Sequence, residues 1–176
     1  MKTSAYIGTS LDGFIARRNG DLDWLTQFAN DEAIRSFEEF MSKIDAIVMG
    51  RGTFEKVLTF PVFPYKKKVF VLSHSIKEVP QHLTEQVAIL AMKPADVMVS
   101  LSDKGHSNIY VDGGNVIQDF LKEDLIDELI ISKAPVLLGS GIPLFGYLAN
   151  DLQFNHVRTM VQSNGLVRSY YLRAEK

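Results

Sequence analysis

The feature that most constrains this chain is the alternation of short apolar, strand-like segments with amphipathic helical segments. The pattern predicts strands at about 4–9, 45–49, 68–73, 87–91, 108–112, 127–133, 153–162 and 166–173. It predicts helices at 31–43, 52–58, 94–103 and 115–123. Such alternation is typical of parallel sheets, because each helix returns the chain to the same end of the sheet. The last two strands follow one another across Ser163-Asn164-Gly165, which predicts a hairpin. We therefore expect an α/β fold with a mainly parallel central sheet, flanking helices and a C-terminal antiparallel hairpin.

The helix over 31–43 has the clearest pattern. Its apolar side chains recur at spacings of three and four residues, at Ile34, Phe37, Phe40, Met41 and Ile44. Side chains with this spacing lie on one face of a helix. We expect that stripe to pack against the sheet.

Composition and charge exclude several classes of protein. The chain has no cysteine, so it holds no disulfide scaffold, thiolate zinc site or cysteine nucleophile. Its 19 basic and 21 acidic residues lack the basic excess of a nucleic-acid-binding protein. No apolar run approaches the ~20 residues that span a bilayer, and Asp12 interrupts the first apolar stretch, unlike a secretory leader. We expect a single domain over 1–176, located in the cytoplasm, without nucleic-acid or membrane partners.

The turns that follow the strands are where ligands bind in an open α/β sheet. Gly50-Arg51-Gly52-Thr53 follows the strand at 45–49 and opens a short helix. Glycine lets an anion approach the backbone, Arg51 supplies a forked positive charge, and Thr53 supplies a hydroxyl. The turn is therefore a candidate phosphate site. The alternative is a tight turn in which Thr53 caps the helix.

Two further turns have a similar character. Ser73-His74 ends the third strand and offers a hydroxyl and an imidazole, although serine is also a common turn residue. Gly113-Gly114-Asn115 opens a later helix and lets a flat ligand or a pyrophosphate rest against the backbone. Three such turns together can hold the separated phosphate and ribose groups of a dinucleotide. No G-x-G-x-x-G fingerprint, P-loop or H-E-x-x-H metal motif is present in the sequence.

Several motifs, taken in order, resemble the dihydrofolate reductase-like superfamily. They are Ser10-Leu11-Asp12-Gly13-Phe14-Ile15-Ala16, Met49-Gly50-Arg51-Gly52-Thr53-Phe54-Glu55, Val71-Leu72-Ser73, Val111-Asp112-Gly113-Gly114, and the segment 135–145. Within the superfamily, the chain is most similar to the reductase (C-terminal) domain of the bifunctional riboflavin-biosynthesis deaminase–reductase and its stand-alone relatives.

The resemblance implies NADPH as hydride donor and assigns residues to it. Gly50, Arg51, Gly52 and Thr53 match the phosphate-binding turn of the family. Ser73 and His74 fall where the family holds the adenosine ribose and its 2′-phosphate. The loop beside the pyrophosphate and nicotinamide corresponds to Gly113, Gly114, Asn115 and Val116, and the backbone against the nicotinamide to Gly8 and Ile15.

The resemblance also implies the reaction and the assembly. The expected activity is reduction of a small heterocycle that is aminopyrimidine riboside-like or pterin-like. The expected assembly is a homodimer, and the apolar segments Leu129-Ile130-Ile131 and Leu137-Leu138 are candidates for covering an exposed surface.

Dihydrofolate reductases carry a carboxylate four residues before a substrate-contacting Phe on the first helix. If Phe37 is that aromatic residue, the position is Ala33, so we expect dihydrofolate to be a poor substrate. Asp31 is a candidate acid nearby, but both it and Glu32 lie about 130° from the centre of the apolar stripe and favour the helix N-terminus. Asp12 is the other candidate acid, although Asp-Gly is itself a turn signal.

Other readings remain open at this point. Glu55, Asp112 and Asp119 are less attractive as catalytic acids. The absence of an acid at Ala33 favours, as an alternative to an enzyme, a nucleotide-binding or regulatory module of the same fold. A further alternative is a structural protein whose glycine turns bind nothing.

Overall fold

The computed structural model describes residues 1–174. Its strands are β1 (Lys2–Thr9), β2 (Phe14–Ala16), β3 (Ala46–Gly50), β4 (Lys68–Leu72), β5 (Val87–Leu90), β6 (Asn108–Asp112), β7 (Glu128–Lys133), β8 (Ile142–Pro143), β9 (Phe154–Val161) and β10 (Val167–Arg173). Its helices are α1 (Asp23–Thr26), α2 (Asp31–Ser42), α3 (Arg51–Val57), α4 (Pro94–Asp103) and α5 (Gly114–Lys122), with one turn of 3-10 helix at Gln81–Leu83.

The central sheet has eight strands in the order β5-β4-β3-β6-β1-β7-β10-β9. The strands from β5 to β7 are parallel to their neighbours. Strand β10 runs antiparallel to both β7 and β9. This topology confirms the predicted α/β fold with its C-terminal antiparallel hairpin. The carboxyl ends of β1, β3, β4 and β6 consequently emerge along one edge of the sheet.

Helices cover the two faces of the sheet. On one face, Val97 and Leu101 of α4 and Phe120 of α5 are buried against the strands. On the other face, Phe40 of α2 and Phe54 of α3 pack in a second apolar cluster. Burial of such side chains contributes about 1.5–3 kcal/mol each and holds the helices in place.

Helix α2 begins where its sequence predicts. The side chain of Asn30 accepts a hydrogen bond from the Ala33 backbone N–H at 2.8 Å, which caps the helix. Phe37 and Phe40 contact the ring of Tyr6 on β1. Ile34 lies one turn earlier, beyond these contacts, and is 53% exposed. Its predicted place in the buried stripe is therefore wrong.

The prediction also lacked some short elements. Strands β2 and β8 pair with each other in a separate two-stranded sheet, and α1 spans four residues. Segments this short carry too few residues to show a periodic pattern. Within residues 1–174, no helix is long and apolar enough to cross a membrane.

Candidate functional site

The structure brings the turns after β3 and β6 into contact. Gly113 has a φ of 91°, a conformation that disfavours side chains. A Cβ at Gly113 would overlap the Thr53 hydroxyl. Gly50 lies against Val116, whose Cγ2 would be 3.0 Å from a Cβ at residue 50. The two turns can approach this closely because glycine occupies both positions.

Strand β2 packs against the turn after β6 from a third direction. A Cβ at Gly114 would lie 2.7 Å from Ile15 Cδ1 and 3.3 Å from the Pro143 carbonyl oxygen. Three segments that are distant in sequence therefore meet at the carboxyl ends of β3 and β6. We call this the turn cluster, and it consists of Ile15, Gly50, Arg51, Gly52, Thr53, Gly113, Gly114, Asn115 and Val116.

Several members of the turn cluster face solvent and are accessible to a ligand. Arg51, Gly52 and Asn115 are exposed. No atom in the described part of the chain lies within 4 Å of a Cβ placed on Gly52, apart from its chain neighbours and its own helix backbone. Among the described residues, the one ion-pair partner of Arg51 is Glu55, at a long distance of 3.9 Å on the surface. Such pairs contribute little stability, so the Arg51 side chain is available for another anion.

The alternative role for Thr53 does not hold. Gly50 occupies the N-cap position of α3 and provides no side-chain cap. Thr53 lies within the helix, with its hydroxyl beside Gly113. It cannot cap the helix because a capping side chain has to precede the first turn.

Ser73 and His74 follow β4, the neighbour of β3. Ser73 is buried, and its Oγ accepts hydrogen bonds from the backbone N–H groups of Ser75 at 3.1 Å and Ile76 at 3.0 Å. This is the serine turn that the sequence left open as an alternative. His74 is exposed. The pair therefore combines a rigid turn with an accessible imidazole.

Gly8 lies near the end of β1 and is covered by α1. A Cβ at residue 8 would come within 2.8 Å of Leu25 Cδ2. Glycine at this position thus allows α1 to pack directly on the sheet. The Leu25 side chain is the one that covers the position where the resemblance places the nicotinamide.

Asp12 joins two loops. Its carboxylate accepts hydrogen bonds from Ser10 Oγ at 2.6 Å and from the backbone N–H groups of Gly139 at 2.7 Å and Leu138 at 3.2 Å. The hydrogen bond from Ser10, with those from the backbone, lowers the pKa of Asp12. A carboxylate with a lowered pKa is ionised near neutral pH and is a poor proton donor. This geometry favours the turn role over proton donation.

Asp31 lies in the first turn of α2 and is exposed. Glu32 beside it accepts hydrogen bonds from the Ser163 N–H at 3.0 Å and from Ser163 Oγ at 2.6 Å. Both acids therefore stand at the helix N-terminus, where negative charge is stabilising. This arrangement corrects the assignment of Asp31 as a candidate acid, because the side chain lies on the surface and not on the inward face of α2.

The structure makes Asp112 a stronger candidate acid than the sequence alone indicated. Asp112, the last residue of β6, is 8% exposed and accepts a hydrogen bond from the Tyr65 hydroxyl at 2.7 Å. Desolvation by burial raises its pKa, partly offset by hydrogen bonds from Tyr65 and Tyr110. Burial also raises the pKa of Tyr65. Asp112 is thus an acid that retains its proton at higher pH than an exposed carboxyl, directly before Gly113.

The sequence contained one signal for Asp112: an acid between an apolar strand and a glycine pair. It gave no information about Tyr65, which lies 47 residues away in the chain. No group of three or more histidine and acidic side chains that could hold a metal ion occurs within residues 1–174.

Comparison with protein families identifies the family of the chain. The model of the RibD C-terminal domain matches residues 3–68 and 61–167. The chain belongs to the RibD C-terminal domain family. This confirms the resemblance to the riboflavin-biosynthesis reductase domain and assigns to the chain a reductase-like domain of that type.

Individual relatives agree with the family. The chain is 39% identical to "Uncharacterized protein YwjB" of Bacillus subtilis (strain 168), over 98% of each chain. It is 44% identical to a solved "Putative riboflavin biosynthesis protein" from Shewanella sp. PV-4, with a TM-score of 0.93, covering 99% of this chain and 100% of that one. A pyrimidine reductase-like protein from Corynebacterium diphtheriae shares the fold, with a TM-score of 0.76 at 18% identity, covering 99% of this chain and 92% of that one.

Proposed function

We propose that this member of the RibD C-terminal domain family is an NADPH-dependent reductase that transfers a hydride to a small heterocycle. The observation that carries the proposal is the turn cluster, in which Ile15, Gly50, Thr53, Gly113 and Val116 meet at the carboxyl ends of adjacent strands. That edge is where ligands bind in open α/β sheets. The preferred acceptor is aminopyrimidine riboside-like or pterin-like.

The residues fit a dinucleotide phosphate. The Cβ position of Gly52 is open to solvent, so a phosphate can reach the backbone at the start of α3. Arg51 stands beside it with an exposed guanidinium, and a guanidinium binds phosphate oxygens in a forked manner. His74, on the neighbouring strand end, is accessible to a 2′-phosphate. When bound, NADPH supplies the hydride.

The chain itself orients the acceptor and supplies a proton. Gly8 on β1 and Asp112 on β6 lie near the carboxyl ends of adjacent strands. The raised pKa of Asp112, caused by burial, suits a general acid, because such an acid has to carry its proton near the working pH. Tyr65 fixes one carboxyl oxygen by its hydrogen bond. Asp112 thereby supplies the proton from β6, and not from the α2 position that dihydrofolate reductases use and that Ala33 occupies here.

The test of the proposal is NADPH oxidation, followed by the loss of absorbance, against a panel of aminopyrimidine ribosides, pterins and small quinones. We expect turnover with at least one heterocycle. Saturable NADPH binding without turnover of any compound would favour the alternative, a nucleotide-binding or regulatory module. Absence of NADPH binding would favour the other alternative, a structural protein whose glycine turns bind no ligand.

Dihydrofolate is expected to be a poor substrate, because Ala33 offers no carboxylate on the inward side of α2. A correctly placed general acid contributes about 10²–10⁴-fold to the rate. The measurement compares steady-state dihydrofolate reduction by the natural protein and by Ala33→Asp. Efficient reduction by the natural protein would show that our placement of the acid position is wrong.

We also propose that the protein is a homodimer. The apolar residues first considered do not support it uniformly, because Leu129 and Ile130 are only 4% and 5% exposed. Leu137 is 70% exposed, and further exposed apolar side chains lie on the edge strand β9, at Val157 and Val161. Exposed edge strands of this kind are commonly covered. Sedimentation at micromolar concentration should give twice the mass of one chain, and a monomer alone would refute the proposal.

A further inference from the structure

The most unusual side chain outside the turn cluster is Arg168 on β10. It is only 3% exposed, and its Nε donates a hydrogen bond to Ser132 Oγ at 2.8 Å. Its guanidinium lies over the ring of Tyr6, 4.9 Å from the ring centroid. The side chain is therefore held in a fixed orientation on the α2 face of the sheet.

This buried guanidinium has few of the partners that burial normally requires. Within residues 1–174, none of the ion pairs includes Arg168, and the bond to Ser132 is its one hydrogen bond. Glu32 acts on it only at longer range, while Ser163 holds the Glu32 carboxylate by direct hydrogen bonds. A buried charge without a paired carboxylate is costly. Such departures from ordinary stabilising rules concentrate at functional sites.

A buried polar group without a partner lies beside it. The hydroxyl of Tyr6 is buried without a hydrogen-bond partner in the described part of the chain. Burial raises the pKa of Tyr6 to about 12, so the phenol keeps its proton at neutral pH and can donate a hydrogen bond. Buried unpaired polar groups are uncommon in proteins. A phenol without a partner, next to a buried guanidinium that has no ion pair in the described part of the chain, indicates a place for an acceptor-rich group.

Strand register connects these donors to the proposed reaction site. Gly8 pairs with Ser132, and Ser132 pairs with Arg168. Directly paired residues project from the same face of a sheet, and Tyr6 projects from that face two residues before Gly8. Neighbouring strands are about 4.8 Å apart, so Gly8 and Arg168 are separated by roughly 10 Å. We call Tyr6, Gly8, Asp112, Ser132 and Arg168 the acceptor row.

We propose that Arg168, oriented by Ser132, binds an anionic oxygen group on the acceptor and so selects charged heterocycles over neutral ones. This inference rests on the proposed function, because it assigns the far end of the same acceptor site. An acceptor bound beside Gly8, next to the Leu25 side chain that covers this glycine, can place a substituent at Arg168 within the span of a small heterocycle. A carboxylate or a phosphate supplies the acceptor oxygens that the fixed guanidinium and the Tyr6 phenol lack.

The chain provides a matched control. Arg158 on β9 also stacks on a tyrosine, with its guanidinium 4.1 Å from the centroid of Tyr170, but it is exposed. Replacing Arg158 removes the same charge and a similar cation–π contact from the neighbouring strand. An effect that follows Arg168 and spares Arg158 therefore reports the buried position and not the net charge of the protein.

The experiment measures binding of two ligand pairs to the full chain, with and without NADPH. Orotate against uracil tests a carboxylate on the ring, and uridine 5′-monophosphate against uridine tests a phosphate on the riboside. Trp24, the one tryptophan in the sequence, lies in α1 next to Leu25 and provides a fluorescence signal. We expect the charged member of at least one pair to bind about tenfold to a hundredfold tighter, the range for hydrogen bonds to charged groups.

The variants separate recognition from folding. Arg168→Met should reduce the charge preference to less than about threefold, Arg168→Lys should keep part of it, and Arg158→Met should retain all of it. Ser132→Ala keeps the charge and removes the orienting hydrogen bond, so it should lower the preference even if Arg168→Met fails to fold. Folding of each variant is checked by circular dichroism.

Two results would overturn the inference: equal binding of charged and neutral members to the natural protein, or a preference that survives in folded Arg168→Met. The proposed function fails separately, in the NADPH oxidation assay. An Arg168-dependent charge preference in a protein that does not oxidise NADPH would support the binding site and contradict the reductase. NADPH oxidation without any charge preference would support the reductase and contradict the binding site at Arg168.

Discussion

The turn cluster and the acceptor row lie at the same edge of one sheet but are constructed differently. The turn cluster is made largely of backbone, since Gly50, Gly113 and Gly114 let three segments come together and Gly52 leaves the start of α3 exposed. Apart from Gly8, the acceptor row is made of side chains: Asp112 is buried with hydrogen bonds from tyrosines, and Arg168 is buried without an ion pair in the described part of the chain. A backbone site suits a ligand that is common to a family, whereas side chains can set the identity of the acceptor.

The largest expected effect concerns the acceptor row. Asp112→Asn removes the proposed general acid and should lower kcat by about 10²–10⁴-fold with the accepted heterocycle. The exposed Asp119 on the neighbouring helix is the control, and Asp119→Asn should leave kcat unchanged. If Asp112→Asn retains full activity, the acid lies elsewhere and the acceptor row loses its proton donor.

The pH dependence of the same variant sharpens this prediction. Because burial raises the pKa of Asp112 in the folded state, its stabilising contribution is complete below the unfolded pKa of about 3.9 and is lost as the pH rises through the folded pKa. Urea unfolding should therefore show Asp112→Asn gaining stability relative to the natural protein as the pH rises above about 4. A constant difference over that range would show that Asp112 is not desolvated.

The next largest effect concerns the backbone of the turn cluster. Gly113→Ala places a methyl group on the Thr53 hydroxyl at a positive φ, so it should lower the free energy of unfolding by about 2–5 kcal/mol. Gly52→Ala is the matched control, because its Cβ position is open. It should raise stability by about 0.5–1 kcal/mol and still weaken NADPH binding. Equal stability losses would show that the two glycines do not differ as the structure indicates.

A smaller effect is expected at the turn after β4. Ser73→Ala leaves the N–H groups of Ser75 and Ile76 without their acceptor, which should cost about 1–2 kcal/mol of stability. It should also reduce the ratio of NADPH to NADH affinity, if Ser73 holds His74 at the 2′-phosphate. An unchanged ratio in calorimetric titrations would remove this turn from cofactor selection and leave Ser73 a purely structural role.

The contrast between the turn cluster and the acceptor row also explains which site residues could be predicted from the sequence. The turns at 50–53 and 113–115 were found because their signal is local: a glycine, a hydroxyl or a charge directly after an apolar strand. The relation of Asp112 to Tyr65 and of Arg168 to Ser132 depends on contacts 47 and 36 residues apart in the chain. Whether an acid or an arginine is buried depends on such contacts, and one sequence does not contain them. The assignments of Asp12 and Asp31 had the same weakness, since only the structure shows their partners and exposure.

Fold prediction had a similar limit. The long periodic segments were predicted correctly because their apolar spacing reports the buried face. Ile34 continues the periodic pattern of α2 but extends beyond the aromatic contacts with the sheet, so periodicity alone assigned it wrongly. The alignment of Gly8, Ser132 and Arg168 depends on the register between strands from three distant parts of the chain. The periodicity of a single segment does not report that register.

The central claim is that the turn cluster binds NADPH, and calorimetric titration of NADPH and NADH tests it most directly. We expect saturable binding with NADPH preferred, and a loss of about 1.5–3 kcal/mol of NADPH binding free energy in Arg51→Ala, the value of a hydrogen bond to a charged group. Arg35→Ala, an exposed arginine on α2 away from the turn cluster, should bind NADPH normally. No saturable binding by the natural protein, or equal affinity in Arg51→Ala, would contradict the claim.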